Sequence, residues 1–208
     1  MMWGGFQSAG GASRFTSLRR VTSSMRMRIH VALALFLCSL AARAADEPLR
    51  IPDVQVVDQS GRSHNFYSGL VKDRVVAVNF VFTSCTTICP VMGATFAQVQ
   101  KLLGSRDDVS LISITIDPRN DTPARLAAWG KRVGAKPGWT LVTGAPGDID
   151  ALLKAMGVFT PDKNDHGPIV VVGDDRTATW QRINGFATPA TIVAELRKFT
   201  AARGQSGR

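Results

Sequence analysis

The residues best equipped for chemistry are Cys85 and Cys89, four positions apart in the stretch 82–92 (FTSCTTICPVM), directly after the strand-like run VVAVNFV. Two thiolates at that spacing can chelate a soft metal ion or close reversibly into a disulfide. A purely stabilising bridge is disfavoured, because closing so short a loop removes little chain entropy. A metal site needs a third donor, and beyond the N-terminal segment the chain holds two histidines, His64 and His166. His166 lies in NDHGP, a polar loop running into the apolar pattern 169–172, so a central strand would carry it beside the cysteine loop. His64, in RSHN, alternates with Phe66 as an exposed hairpin residue would. Cys85, Cys89 and His166 are therefore the candidate donors, soft enough together for Cu(I) and able to hold Cu(II) with an added water or carboxylate. Asp165, beside the histidine, reads as a solvated loop acid.

These residues need elements to position them, and the chain supplies an alternation of strands and helices. Short runs rich in β-branched and aromatic residues occupy 54–57, 75–82, 109–116, 140–142, 169–172 and 177–183. Helical patterns fall between them at 91–103, 123–133, 148–156 and 189–202. In the first, Met92, Phe96, Val99 and Leu103 recur at steps of three or four, and Gly104 closes it. Thr122 before Pro123 and Thr188 before Pro189 are N-cap signals, and DQSG at 58–61 and GDD at 173–175 suit hairpin turns. The expected fold class is α/β, a central sheet with helices on both faces. If a central strand ends at Phe82 and a helix starts near Pro90, the cysteines occupy the strand-to-helix corner, at the carboxyl end where open α/β sheets place their sites. A helix N-terminus there favours thiolate over thiol.

The formal charge of +9 invites a nucleic-acid reading until its location is considered. Arg19, Arg20, Arg26 and Arg28 precede a 14-residue apolar run, 29–42, followed by the A-x-A pattern Ala42-Arg43-Ala44. This is the pattern of a secretory signal peptide, with Met25 or Met27 as an alternative start. Residues 1–44 carry six of the 25 basic residues and none of the 16 acidic ones, so 45–208 holds 19 against 16, a charge of +3. No dense basic face remains for phosphates, which excludes a nucleic-acid partner from the reading. The apolar run is short of the ~20 residues of a membrane span, and an uncleaved anchor at 29–42 is the alternative. Cys38 leaves with the leader, so residues 45–208 form one domain with two cysteines in a disulfide-permitting compartment.

Three ordered blocks, VVAVNFVFTSCTTICP at 75–90, ITIDPRNDTP at 114–123 and Asp165-His166 before a strand and a Gly-Asp-Asp turn, resemble the Sco/SenC family over about 51–199. The resemblance implies a thioredoxin-like fold in which Cys85, Cys89 and His166 bind copper. It implies a role in assembling the binuclear copper centre of cytochrome c oxidase, as copper chaperone, as thiol–disulfide reductant, or both. The implied location is the periplasm, free or anchored to the membrane facing it, and the implied partner is an oxidase subunit or another cuproenzyme. The chain departs from the family between the cysteines, where Thr86-Thr87-Ile88 replaces the usual Pro-Asp-Val, and at Gly167, where serine is usual. A thiol–disulfide oxidoreductase using Cys85 and Cys89 without copper is the alternative function, though CxxxC replaces the usual CxxC. A peroxiredoxin-like peroxidase, suggested by the fold and Thr83, lacks the expected proline and arginine pattern. The DPRNDTP stretch reads as a turn held by local hydrogen bonds of Asp117 with Arg119 or Asp121, and Trp129, Trp139 and Trp180 read as packing or edge residues.

Overall fold

The run VVAVNFV becomes β3 (Val75–Val81), all seven of whose residues are buried. An apolar run without alternation is what a strand covered on both faces requires. Its parallel neighbour β4 (Val109–Thr115) is likewise buried throughout. In this computed structural model, residues 49–104 and 106–206 are described; the apolar leader, its cleavage pattern and Cys38 lie outside them. The remaining strands are β1 (Gln55–Asp58), β2 (Ser63–Asn65), β5 (Trp139–Gly144), β6 (Ile169–Asp174) and β7 (Thr179–Asn184), in the sheet order β2-β1-β5-β4-β3-β6-β7. The helices are α1 (Ile88–Leu103), α2 (Pro123–Val133), α3 (Pro146–Ala155) and α4 (Pro189–Ser206).

The pleat of β3 divides the interior in two. Val75, Ala77 and Val81 face one core with Cys89, Met92 and Phe96 of α1, Leu126 and Trp129 of α2, and Ile192 and Leu196 of α4. Val76, Val78 and Phe80 face a second core with Ile149 and Leu152 of α3 and with Phe66, Leu70 and Val71. Helices therefore cover both faces, as the alternating sequence pattern requires. α1 and α2 approach so closely that a Cβ on Gly93 would lie 2.6 Å from Val133 Cγ1, which is why that helical position holds glycine.

The cap signals act as expected: Thr122 Oγ1 accepts the Arg125 N–H at 3.3 Å, and Thr188 Oγ1 that of Thr191 at 3.2 Å. Trp129 and Trp139 are core residues at 2% and 1% exposure. Three details differ from the sequence reading. The β1–β2 hairpin across DQSG is as expected, but the π-helical turn Phe66–Val71, closed by Lys72 N–H on Tyr67 O at 2.8 Å, is not an element the sequence pattern shows. His64 is partly buried rather than exposed, because its Nε2 lies 2.9 Å from Oδ2 of the buried Asp58, which also accepts from Arg62 Nε at 3.0 Å. Finally, β7 begins two residues late, because Ala178 takes a φ of 50° in the turn whose N–H reaches Asp175 O.

Candidate functional site

The cysteine loop leaves the carboxyl end of β3 and turns at once, Cys85 N–H donating to Phe82 O at 3.1 Å. α1 then begins at Ile88, so Cys89 is already helical and its N–H points back at Cys85 Sγ, 3.4 Å away. The first-turn N–H groups of a helix have no intrahelical acceptor, and here one of them meets sulfur. Thr87 Oγ1 lies 3.7 Å from the same sulfur. The two thiols, both free, are thereby made unequal. Burial alone would push the Cys85 thiol up, but hydrogen bonds from the Cys89 side chain and N–H and from the Thr87 N–H and hydroxyl outweigh it and hold it below its ordinary value. Cys89, 1% exposed, is pushed up to about 12, mainly by burial and then by its bond to the Cys85 sulfur. One half-buried, acidified thiol thus stands beside one buried thiol of raised pKa.

His166 approaches from the other side of the same sheet end. The antiparallel β3–β6 register places Asn79 opposite Val170, so the residues before β6 lie at the carboxyl end of β3. His166 is 5% exposed and packs edge-on against Phe80, with ring centroids 5.9 Å apart. Phe80 belongs to the second core and Cys89 to the first. Burial holds the imidazole below its ordinary basicity, partly offset by a hydrogen bond to the Phe80 carbonyl. The ring is therefore a neutral, lone-pair-bearing donor near neutral pH. The structure brings Cys85 and Cys89 together and brings His166 to the same end of the sheet. Among the described residues, no three His, Cys, Asp or Glu side chains stand close enough to hold a metal ion in this conformation. Asp165 is exposed and His64 is at the β1–β2 hairpin.

The sequence reading missed what the DPRNDTP turn does. Local bonds are present, with Asn120 Nδ2 donating to Asp117 Oδ1 at 2.8 Å. The side chain of Asp121, however, is not spent locally. At 1% exposure it accepts the Thr83 N–H at 3.1 Å, the Thr83 hydroxyl at 2.5 Å and the Thr115 hydroxyl at 2.6 Å. It therefore ties down the start of the cysteine loop. Asp117 Oδ2 forms an ion pair with Lys163, three residues before His166. Arg119, assigned to the turn as well, is exposed. One turn thus anchors both donor-bearing loops, because β4 lies beside β3 and delivers the turn to the same end of the sheet.

Comparison with known proteins follows the same lines. A model of the SCO1/SenC family matches residues 45–201. The SCO1 protein homolog of Bacillus subtilis is 32% identical over 112 residues, 53% of this chain and 58% of that protein. A Stutzerimonas stutzeri protein named "Putative copper-binding protein" is 32% identical over 123 residues, 56% of this chain and 57% of its own length. The matched stretches thus span a little over half of each relative. Bradyrhizobium japonicum ScoI, solved with copper bound, superposes with a TM-score of 0.60 over 72% of this chain and 99% of its own, at 24% identity. That likeness establishes the fold, the thioredoxin-like α/β arrangement expected above.

Proposed function

The chain belongs to the SCO1/SenC family, and from that premise we propose that it is an exported copper-binding protein that uses Cys85, Cys89 and His166 as donors and delivers copper to a cuproenzyme such as cytochrome c oxidase. The observation that carries the proposal is the Cys85 sulfur held against the first turn of α1, with the Cys89 N–H at 3.4 Å. It favours ionisation of a half-exposed thiol through hydrogen bonds from the helix start and Thr87. Cys89 adds a second sulfur, and burial keeps His166 unprotonated. Two sulfurs and an imidazole suit Cu(I), which prefers soft donors and low coordination numbers. The Stutzerimonas stutzeri relative named for copper binding supports the same cargo. Copper, when bound, would be the cargo handed on by ligand exchange. The protein's residues hold the two sulfurs in one turn, exclude water from Cys89 and present the open side of Cys85 to an acceptor. Export rests on the leader pattern at 1–44; among the described residues no helix is long and apolar enough to cross a membrane.

The unequal thiols favour a second reading, thiol–disulfide exchange. The Cys85 thiolate attacks one sulfur of an acceptor's disulfide, forming a mixed disulfide and releasing one acceptor thiolate. That thiolate takes the Cys89 proton, and Cys89 sulfur then displaces the second acceptor thiolate from Cys85. The acceptor gains two electrons and Cys85–Cys89 becomes the disulfide. The deciding experiment is anaerobic Cu(I) titration of the reduced protein against a competing chelator, beside His166→Ala. One tight equivalent that weakens in the variant, with thiol titration unchanged, is expected. Absence of tight copper in the wild type makes the pair a redox pair only.

A further inference from the structure

Lys163 makes three contacts that together reach every part of the site. Its ammonium pairs with Asp117 Oδ2, an acceptor only 9% exposed, while Lys163 itself is one-third exposed. The same Nζ stands 5.3 Å from the ring centre of Phe82, the residue from which the cysteine loop departs. Its backbone carbonyl accepts the His166 N–H at 3.3 Å. The intervening turn is stiff: Asp165 N–H donates to Asp162 O at 3.1 Å, and Asp162 Oδ1 accepts the Asn164 N–H at 2.8 Å and its Nδ2 at 2.9 Å. Asp117 is fixed in turn by Asn120 Nδ2 and by its own N–H on Thr115 Oγ1 at 3.0 Å. The turn 162–166 is therefore a hydrogen-bonded piece that, besides leading into β6, is tied to the sheet end by the His166 ring against Phe80 and by the Lys163–Asp117 pair.

We propose that Lys163 and Asp117 form a latch that fixes where His166 stands, holding its ring on Phe80 and away from the sulfurs until the pair opens. The proposal rests on the reading of His166 as a copper donor. Its physical basis is that the His166 N–H is bonded to the carbonyl of the latch residue, so that movement of Lys163 carries the histidine backbone with it and shifts the ring that rests on Phe80. Lys163 and Asp117 are positioning residues, acting through His166. The latch makes the histidine a late donor: the half-exposed Cys85 sulfur can meet an incoming ion while the third donor is still held.

The test uses reduced, metal-free protein. The His166 side-chain carbon-bound protons, displaced in NMR spectra by the Phe80 ring, report the ring's position, and hydrogen exchange at the His166 amide reports opening of the turn. Lys163→Met keeps the aliphatic stem on Phe82 and removes the charge, whereas Lys163→Arg keeps the charge. Losing a charge-assisted hydrogen bond is expected to speed His166 amide exchange roughly tenfold or more, and to move the ring protons toward unshifted positions. Lys163→Arg is expected to restore both. Unchanged ring protons in Lys163→Met overturn the latch, as does failure of Lys163→Arg to restore them. If the latch signals behave as expected while His166→Ala binds Cu(I) as tightly as wild type, the latch stands and the reading of His166 as a copper donor falls.

Discussion

Replacing Asp121 with alanine should release the cysteine loop, and the size of the effect follows from what the carboxylate holds. It is 1% exposed and accepts three donors: the Thr83 N–H, the Thr83 hydroxyl and the Thr115 hydroxyl. Thr115 is wholly buried, so its hydroxyl would lose its acceptor with no water to replace it, at a cost of about 1–3 kcal/mol. Thr83 is only partly buried, and water can take over its donors, which lowers their cost to about 0.5–1 kcal/mol each. The sum is about 2–5 kcal/mol, a large part of the ~5–15 kcal/mol that holds an ordinary domain together. Urea unfolding of the reduced, metal-free protein measures it, and a double-mutant cycle with Thr83→Ala separates the loop anchor from the Thr115 bond. A coupling of about 0.5–1 kcal/mol between the two sites is expected, since both single changes break the Thr83 hydroxyl bond. Additive losses, or a loss below about 1 kcal/mol for Asp121→Ala, would refute the view that this carboxylate holds the cysteine loop.

Three further outcomes are expected. Iodoacetamide at pH 7 should label Cys85 alone, with a rate that rises below the ordinary thiol value of 9.0, while Cys89, pushed up to about 12, reacts only on unfolding; peptide mass spectrometry showing equal labelling would contradict the asymmetry. Gly93→Ala should destabilise by up to about 2 kcal/mol in urea, because crowding against Val133 costs ~1–3 kcal/mol and alanine's helix preference returns only ~1. His166 has a folded-state pKa lowered from 6.5, so as pH falls the unfolded chain takes up its proton first. Stability should therefore fall as the pH drops through 6.5 and on to the folded value, and His166→Gln should flatten that part of the profile, measured by denaturant midpoints between pH 8 and 5.

The elements were legible because their signals are local. A largely apolar run without alternation, VVAVNFV, marks β3 as a strand covered on both faces, and a threonine followed by proline marks the starts of α2 and α4. The corner holding Cys85 and Cys89 followed from those two ends. What escaped were side-chain destinations. Asp121 in a turn of Asp, Asn and Pro has the composition of a locally bonded residue, yet its partner Thr83 is 38 positions away. Lys163 and Asp117, 46 positions apart, give no periodic signal at all. Topology brings the segment before β6 to the carboxyl end of β3, as the register shows, but the ring itself rests on Phe80 of the second core, whereas Cys89 belongs to the first. Composition and periodicity do not encode that contact.

The replacement of the family's Pro-Asp-Val by Thr86-Thr87-Ile88 acquires a physical meaning from the Cys85 environment. A carboxylate between the cysteines would place a like charge near the thiolate and push the thiol up unless it pointed away. Thr87 instead offers a neutral hydroxyl 3.7 Å from the sulfur, together with its N–H, and both favour the thiolate. The substitution therefore favours ionisation of Cys85 and removes an oxygen donor in the same step. If copper is the cargo, the inter-cysteine segment can give it no anionic oxygen, and the burden of the third donor falls on His166. The consequence is sharper than for an acid-bearing relative: with threonine in this position, truncating His166 leaves two sulfurs and water, which suits Cu(I) far better than Cu(II). His166→Ala should accordingly weaken Cu(II) more than Cu(I), and the ratio of the two losses measures how far this chain has shifted from a two-state copper carrier toward a thiol pair.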